Sequence, residues 1–272
     1  MSDNLLEAME TSVPIRLRYH HIWSGDGKGG KSKTGTLLKK KLAEKGITLF
    51  HLDLDLERGL DHYPDAKNIK IGSLDTLYKF QKNAYTMYKN GQLENAVLMI
   101  DPLNPIFDWI GEDITKIYGT DNFISDKRVK FEGKDLSALN AFYMKCKEFI
   151  LDIERWFPFI ISVIHLKKSE LGSESDKVLY DSFQLYGQMR QWMHHKTCGS
   201  MMFSSTRSID GIHTTHINKV PAHILSSNGM REDPEFASVK TGDDLVEYYA
   251  EFLPKQFKYL ADERAKLNSK QE

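Results

Sequence analysis

Eight consecutive residues, Gly25-Asp26-Gly27-Lys28-Gly29-Gly30-Lys31-Ser32, fit the spacing G-x-x-x-x-G-K-[ST]. Glycines at those positions let successive backbone N–H groups curl around a phosphate. The lysine reaches β- and γ-phosphates, and the hydroxyl takes a Mg²⁺ ion. The flanks suit this chemistry. Ile15 to Trp23 reads as a strand, and Thr34 to Lys45 reads as a helix that stops at Gly46. A helix N-terminus adds a favourable partial charge for an anion. The nucleotide-binding candidates are therefore Gly25, Asp26, Gly27, Lys28, Gly29, Gly30, Lys31, Ser32 and Lys33. Asp26 is the discordant member, because it repels a polyphosphate. Lys28, Lys33 and the run Lys39-Lys40-Lys41 could offset it, although such a run is also an ordinary solvated helix face. No guanine-type N-K-x-D run is present, which favours ATP as the nucleotide.

Two acidic positions could complete such a site. The run Leu52-Asp53-Leu54-Asp55-Leu56-Glu57 closes a strand over Ile47 to Leu54, and ligands of open α/β sheets bind just past strand ends. Glu57 there could polarise an attacking water, or it could be a solvated turn carboxylate. Val97-Leu98-Met99-Ile100-Asp101 is an apolar strand ending in aspartate, the form needed to hold Mg²⁺ through its water shell. The competing reading of Asp101 is a turn residue before Pro102.

The rest of the chain must position these groups. It has 272 residues, 37 lysines and arginines against 38 aspartates and glutamates, and two cysteines without metal or redox spacing. That length suffices for a large core. The composition excludes global disorder, a uniformly basic nucleic-acid coat and a disulfide scaffold. Met1 to Pro14 carries Glu7 and Glu10 and lacks a signal pattern. The most apolar run, Trp156 to Leu166, is about half a membrane span. A cytoplasmic location without membrane contact is the expectation.

Further strands are expected at Asn68 to Ile71, Ala96 to Ile100, Phe159 to Leu166, Ser200 to Ser204 and Thr214 to Val220. Helices are expected at Ser73 to Asn90, Leu136 to Trp156, Val178 to Met193 and Asp244 to Lys266, the last broken or kinked before Pro254. This alternation predicts an α/β fold with a mainly parallel central sheet flanked by helices. The expected organisation is an N-terminal tail (1–14), a core (15–230) with a polar insertion at about 102–135, and a C-terminal helical segment (231–272). That last segment should pack on the core or on a neighbouring subunit, or else serve as a partner-binding tail.

Phosphate loop, a strand running into D-x-E, then an apolar strand ending in aspartate: in this order the chain resembles the RecA-like (RecA/KaiC-type) ATPases. It is most similar to the compact recombination ATPases of phages. The resemblance spans Ile15 to Pro221. It implies a P-loop NTPase fold, Mg²⁺-dependent ATP hydrolysis with Glu57 as catalytic carboxylate, and action on DNA in recombination or repair. It also implies assembly of several copies in the bacterial or phage-infected cytoplasm. His165, ending the strand after Asp101, would sense the γ-phosphate. The loop Lys167 to Lys177 would contact DNA, with Arg190, His194, His195, Lys196, Arg207 and Trp192 as a second basic and aromatic cluster for single strands. Arg207 and Lys219 would be cations supplied to a neighbour's nucleotide. A second frame, Lys28-Gly29-Gly30-Lys31-Ser32-Lys33-Thr34, resembles the loop of the ParA/MinD partition ATPases. It would instead use Lys33 and Thr34 in a protein-binding switch. A scaffold that holds ATP without turnover is the third reading.

Overall fold

The structure, a computed structural model, describes residues 19–25, 28–54, 68–171, 178–183, 185–196, 199–209, 213–219 and 238–269. Strand β1 (Tyr19–Gly25) leads into helix α1 (Lys31–Glu44), then β2 (Thr48–Asp53), β3 (Ile69–Lys70), α2 (Leu74–Lys89) and β4 (Ala96–Asp101). Helix α3 (Asn104–Tyr118) and a hairpin, β5 (Arg128–Phe131) and β6 (Lys134–Ser137), precede α4 (Ala138–Trp156). Then come β7 (Phe159–Leu171), β8 (Val178–Phe183), α5 (Gly187–Lys196), β9 (Gly199–Arg207), β10 (His213–Lys219) and α6 (Gly242–Asn268).

One sheet runs β10-β9-β1-β7-β4-β2-β3, and β8 pairs off β7. Along this order all pairings are parallel except β9 with β10. The fold is thus α/β with a mostly parallel sheet flanked by helices. Strand alternation sends neighbouring residues to opposite faces. On β1, Ile22 joins the core beneath α2, α3, α4 and α5, while Trp23 joins the core beneath α1 and α6. Strand β4 is buried throughout, as a central parallel strand must be. β7 lies between β1 and β4, so its residues level with Gly25 and Asp101, up to His165, fall between the end of the glycine-rich strand and the end of the aspartate strand.

Helix α2 begins as expected after Ser73, whose hydroxyl accepts the Thr76 backbone N–H and whose own backbone N–H donates to Thr76 Oγ1. Four other segments differ from the sequence expectation. Segment 102–135, expected as a polar insertion, contains α3, whose Ile106, Phe107, Ile110 and Ile114 are buried in the core, and the β5–β6 hairpin. Residues 178–193, expected as one helix, divide into β8 and α5. The edge of β7 beyond Leu166 offers ladder hydrogen bonds that a local helical pattern cannot anticipate. The same pairing lengthens β7 to Leu171 and converts the first half of the expected loop Lys167–Lys177 into strand. Finally, α6 is one continuous helix through Pro254, so of the expected break or kink the break is absent. The proline forfeits one helical hydrogen bond, but buried Leu253, Phe257 and Leu260 keep both halves seated on the same core.

A buried polar network ties three elements across one face. His20 Nδ1 lies 3.0 Å from Glu154 Oε1 on α4, and its Nε2 lies 2.8 Å from Ser162 Oγ on β7. On the other face, Tyr249 of α6 meets His21 Nδ1 at 2.8 Å. Burial, and then the neighbouring His20, push the His21 pKa down to about 3, so this ring is neutral in the fold. His20→Ala removes packed volume and strips hydrogen bonds from two buried partners. It should lower the unfolding free energy by about 2–4 kcal/mol. Glu154→Gln keeps an oxygen acceptor and should cost clearly less, both measured by urea denaturation.

Candidate functional site

The glycine-rich segment turns at the C-terminal edge of the sheet, and two glycines are required by their surroundings. Gly25 has φ +139°, and a Cβ there would collide with the Phe203 carbonyl of β9. Gly30 has φ +90°, and a Cβ there would collide with the Thr215 side chain of β10. Gly30 is also the residue from which α1 starts, three residues earlier than the periodicity predicts. The Ser205 hydroxyl donates to the Lys28 carbonyl at 3.0 Å. Hairpin β9–β10 therefore seats the loop from outside. Lys31 is only 5% exposed, and its Nζ donates to the Gly25 carbonyl at 3.1 Å, drawing the ammonium into the turn. The first turn of α1 carries no acidic residue that would oppose an anion.

Asp101 faces this turn from β4. Its carboxyl is buried, with His51 Nε2 at 3.3 Å from Oδ2 and the Ser32 side chain close enough to act on it. Burial alone pushes a carboxyl up. Here the hydrogen bond from His51, the Ser32 side chain and the positive charge of Lys31 outweigh burial and hold Asp101 below the ordinary carboxylate range. His51 is fully buried, and its Nδ1 has no hydrogen-bond partner among the described residues. That leaves Nε2 as the nitrogen carrying the proton toward Asp101. Asp53, also buried, is the register partner of Asp101 on the adjacent strand end. A side chain at Gly35 would strike Met99 and His51, so glycine lets α1 approach the sheet closely enough for Ser32 to reach Asp101.

His165 stands directly across from Gly25 in the β1–β7 register, half-buried, with its backbone N–H 3.4 Å from Asn104 Oδ1. Gly25, Lys28, Gly29, Gly30, Lys31, Ser32, Asp101 and His165 are thus brought to one edge. Lys33 is exposed, and Thr34 is buried where α6 begins, beside Gly242. Of the lysine run, Lys41 pairs with Glu247 of α6 at 2.9 Å, an α1–α6 contact remote from the loop. Arg207 ends β9 at the loop edge and is exposed. β10 runs the other way, so Lys219 sits level with Met201, back from that edge. Trp192 is partly buried and packs against the core under α5.

Asp26, Gly27, Glu57 and residues 172–177 lie outside the described residues, as do the side chains of His194, His195, Lys196 and Lys219. Sequence reasoning missed His51, Asp53 and Asn104. The signal for the first two was present: ionisable residues at alternate positions of an otherwise apolar strand, pointing to one face. No protein-family model matches this chain, and no curated protein is significantly similar to it.

Gly30→Ala introduces both backbone strain and the Thr215 collision. It should cost about 1–3 kcal/mol in thermal or urea unfolding. Adding Thr215→Ala should recover only the steric part, a non-additivity that a double-mutant cycle reads. Asp101 gives a second test through pH. Its folded pKa is depressed, so its stabilisation is complete above the unfolded value of about 3.9 and fades as pH falls through the folded value. The unfolding free energy of the parent relative to Asp101→Asn should therefore move against the parent on acidification below about pH 4.

Proposed function

We propose that this chain is a Mg²⁺-dependent ATP-binding and ATP-hydrolysing protein of the RecA-like kind, a cytoplasmic ATPase acting on DNA in recombination or repair. The observation that carries the ATPase reading is the convergence of Lys31 and Ser32, neighbours in the first turn of α1, with Asp101 at the end of β4. A buried lysine at a glycine turn, a helix N-terminus and a hydroxyl–carboxylate pair suit a triphosphate and its metal. The same observation favours the Lys31/Ser32 frame. Lys33 points to solvent and Thr34 packs beneath α6, so the partition-type frame would need both to leave these positions.

Ser32 and Asp101 are hard oxygen donors, which fit Mg²⁺. That ion keeps several waters and takes one or two protein groups beside phosphate oxygens. Bound there, it would neutralise charge developing on the phosphates. Lys31 would exchange the Gly25 carbonyl for β- and γ-phosphate oxygens. His51 would keep the Asp101 carboxylate oriented and ionised. Glu57, four residues past Asp53, would polarise the attacking water. His165, across from Gly25, would feel the γ-phosphate and pass its loss to the β7–β8 ribbon, which continues from it. Arg207, at the loop edge, would serve a neighbouring copy's nucleotide.

The test is phosphate release from ATP with Mg²⁺, with and without single-stranded DNA. Lys31→Ala should reduce turnover by roughly two or more powers of ten, while Lys33→Ala keeps it. Loss in Lys33→Ala alone would transfer the site to the second frame. Turnover indifferent to DNA would remove the DNA part of the reading. Tight ATP binding without turnover would remove hydrolysis.

A further inference from the structure

Helix α2 carries an exposed outer face of unusual make-up. Among the described residues, three of the exposed large aromatic or apolar side chains are its tyrosines: Tyr78 (41% exposed), Tyr85 (45%) and Tyr88 (36%). Tyr78, Lys82, Tyr85 and Lys89 follow one another at steps of four, three and four, so they form a single stripe within about 60° of arc. All four are exposed. The Lys89 ammonium lies 5.5 Å from the Tyr85 ring centroid, and the Lys145 ammonium of α4 lies 5.8 Å from that of Tyr78. The Tyr85 ring also meets Trp156 of α4 at 5.9 Å between centroids, tilted by 58°, and keeps 45% of its surface exposed. The helix has Lys79, Lys82 and Lys89 against a single carboxylate, Asp75, in its first turn. Beside the stripe, Lys145 is matched with Asp113, and Asp152 is partnered by Arg155 at 4.0 Å.

We propose that this stripe is a binding surface for single-stranded nucleic acid. Rings supply sequence-tolerant stacking, and interleaved lysines supply phosphate contacts. Spacing fits such an occupant. Tyr78 and Tyr85 are two helical turns apart, about 10.5 Å at 1.5 Å per residue. That is about three steps of a stacked strand at ~3.4 Å each. A duplex buries its base faces and cannot use the rings, so the pattern selects single strands. An apolar protein partner would not call for a lysine between the two rings and another after them. The inference gives a surface to the nucleic-acid part of the reading above and is independent of nucleotide turnover.

The experiment is fluorescence anisotropy of a labelled oligothymidylate, titrated with the full chain at several salt concentrations without ATP. The parent should bind the single strand more tightly than a duplex of equal length. Tyr78→Ala with Tyr85→Ala should weaken binding at least tenfold, while Tyr78→Phe with Tyr85→Phe, which keeps the rings, retains it. Lys82→Ala with Lys89→Ala should flatten the slope of log K against log salt by about 1.4, two single-strand phosphate contacts at ~0.7 each. The control Lys130→Ala with Lys134→Ala, on the β5–β6 hairpin outside the stripe, should change neither affinity nor specificity. Circular dichroism verifies that each variant is folded. Equal affinity of the tyrosine-to-alanine variant, equal binding of duplex, an equal loss in the hairpin control, or no single-strand binding by the parent would each overturn the proposal. Binding of a fluorescent ATP analogue, measured separately, tests the loop reading and can fail without touching this result.

Discussion

A buried carboxylate held in its charged form sets the terms for this structure. Asp101 has almost no contact with solvent, and burial disfavours its ionised state. It remains ionised only because three groups converge on it: His51 from β2, and Lys31 and Ser32 from α1. His51 reaches Asp101 across the β2–β4 pairing, but Lys31 and Ser32 can act on it only because the start of α1 lies close above the ends of β2 and β4. Local geometry follows from that requirement. Gly35 keeps the helix free of a side chain where it crosses Met99 and His51, and Gly30 lets the chain enter the helix beneath Thr215. The glycines are clearances for an electrostatic arrangement as much as flexible points.

The sheet order serves the same arrangement. With β7 between β1 and β4, the glycine-rich turn and Asp101 are not on neighbouring strands, and the gap between them is filled by β7. His165 is the β7 residue level with Gly25, and Asn104, at the start of α3, holds its backbone. Leu103 N–H donates to the Val163 carbonyl at 2.8 Å, so the chain leaving β4 is stitched to β7 immediately after Asp101. Hairpin β9–β10 closes the other side through Ser205 and Thr215. Each wall of the turn is thus a strand end fixed by backbone pairing, and rigid elements hold polar groups more accurately than loops can.

Much of this was legible in the sequence because the signals were local. Gly-Lys-Ser after a strand and before a helix, an apolar run ending in Asp101, and Ser73 ahead of an amphipathic helix each specify their own surroundings. What escaped was set by partners distant in the chain. Residues 178–183 carry a pattern compatible with a helix, and only the free edge of β7 makes them strand. Segment 102–135 looks polar because its apolar residues are spread at helical spacing among charges, and the face they form is seen only once it meets α4. His51 was passed over because a histidine in an apolar strand gains its meaning from Asp101, fifty residues away. Glu57 shows the reverse limit. Its role was inferred from its place in a motif, and that place lies outside the described residues.

The two faces of the sheet divide the work. On one, α6 packs along α1, Gly242 abuts Thr34 and Tyr249 anchors His21, so the helix carrying Lys31 and Ser32 is braced along its length. On the other, α2 is attached directly to the acidic strand ends. Asp53, the register partner of Asp101, accepts the Ile71 backbone N–H at 2.9 Å, and two residues later Ser73 caps α2. The buried Leu77 then anchors the first turns of that helix, and Tyr78, the first ring of the exposed stripe, is its neighbour in sequence. A displacement of the β2 and β4 ends would therefore be delivered to α2 at its fixed N-terminus, through a short run of backbone with little slack. Contiguity of this kind is the physical requirement for a charge change at Asp101 to alter the outer face of the molecule. It makes α2, more than any exposed loop, the element through which the polar edge and the aromatic stripe are mechanically joined.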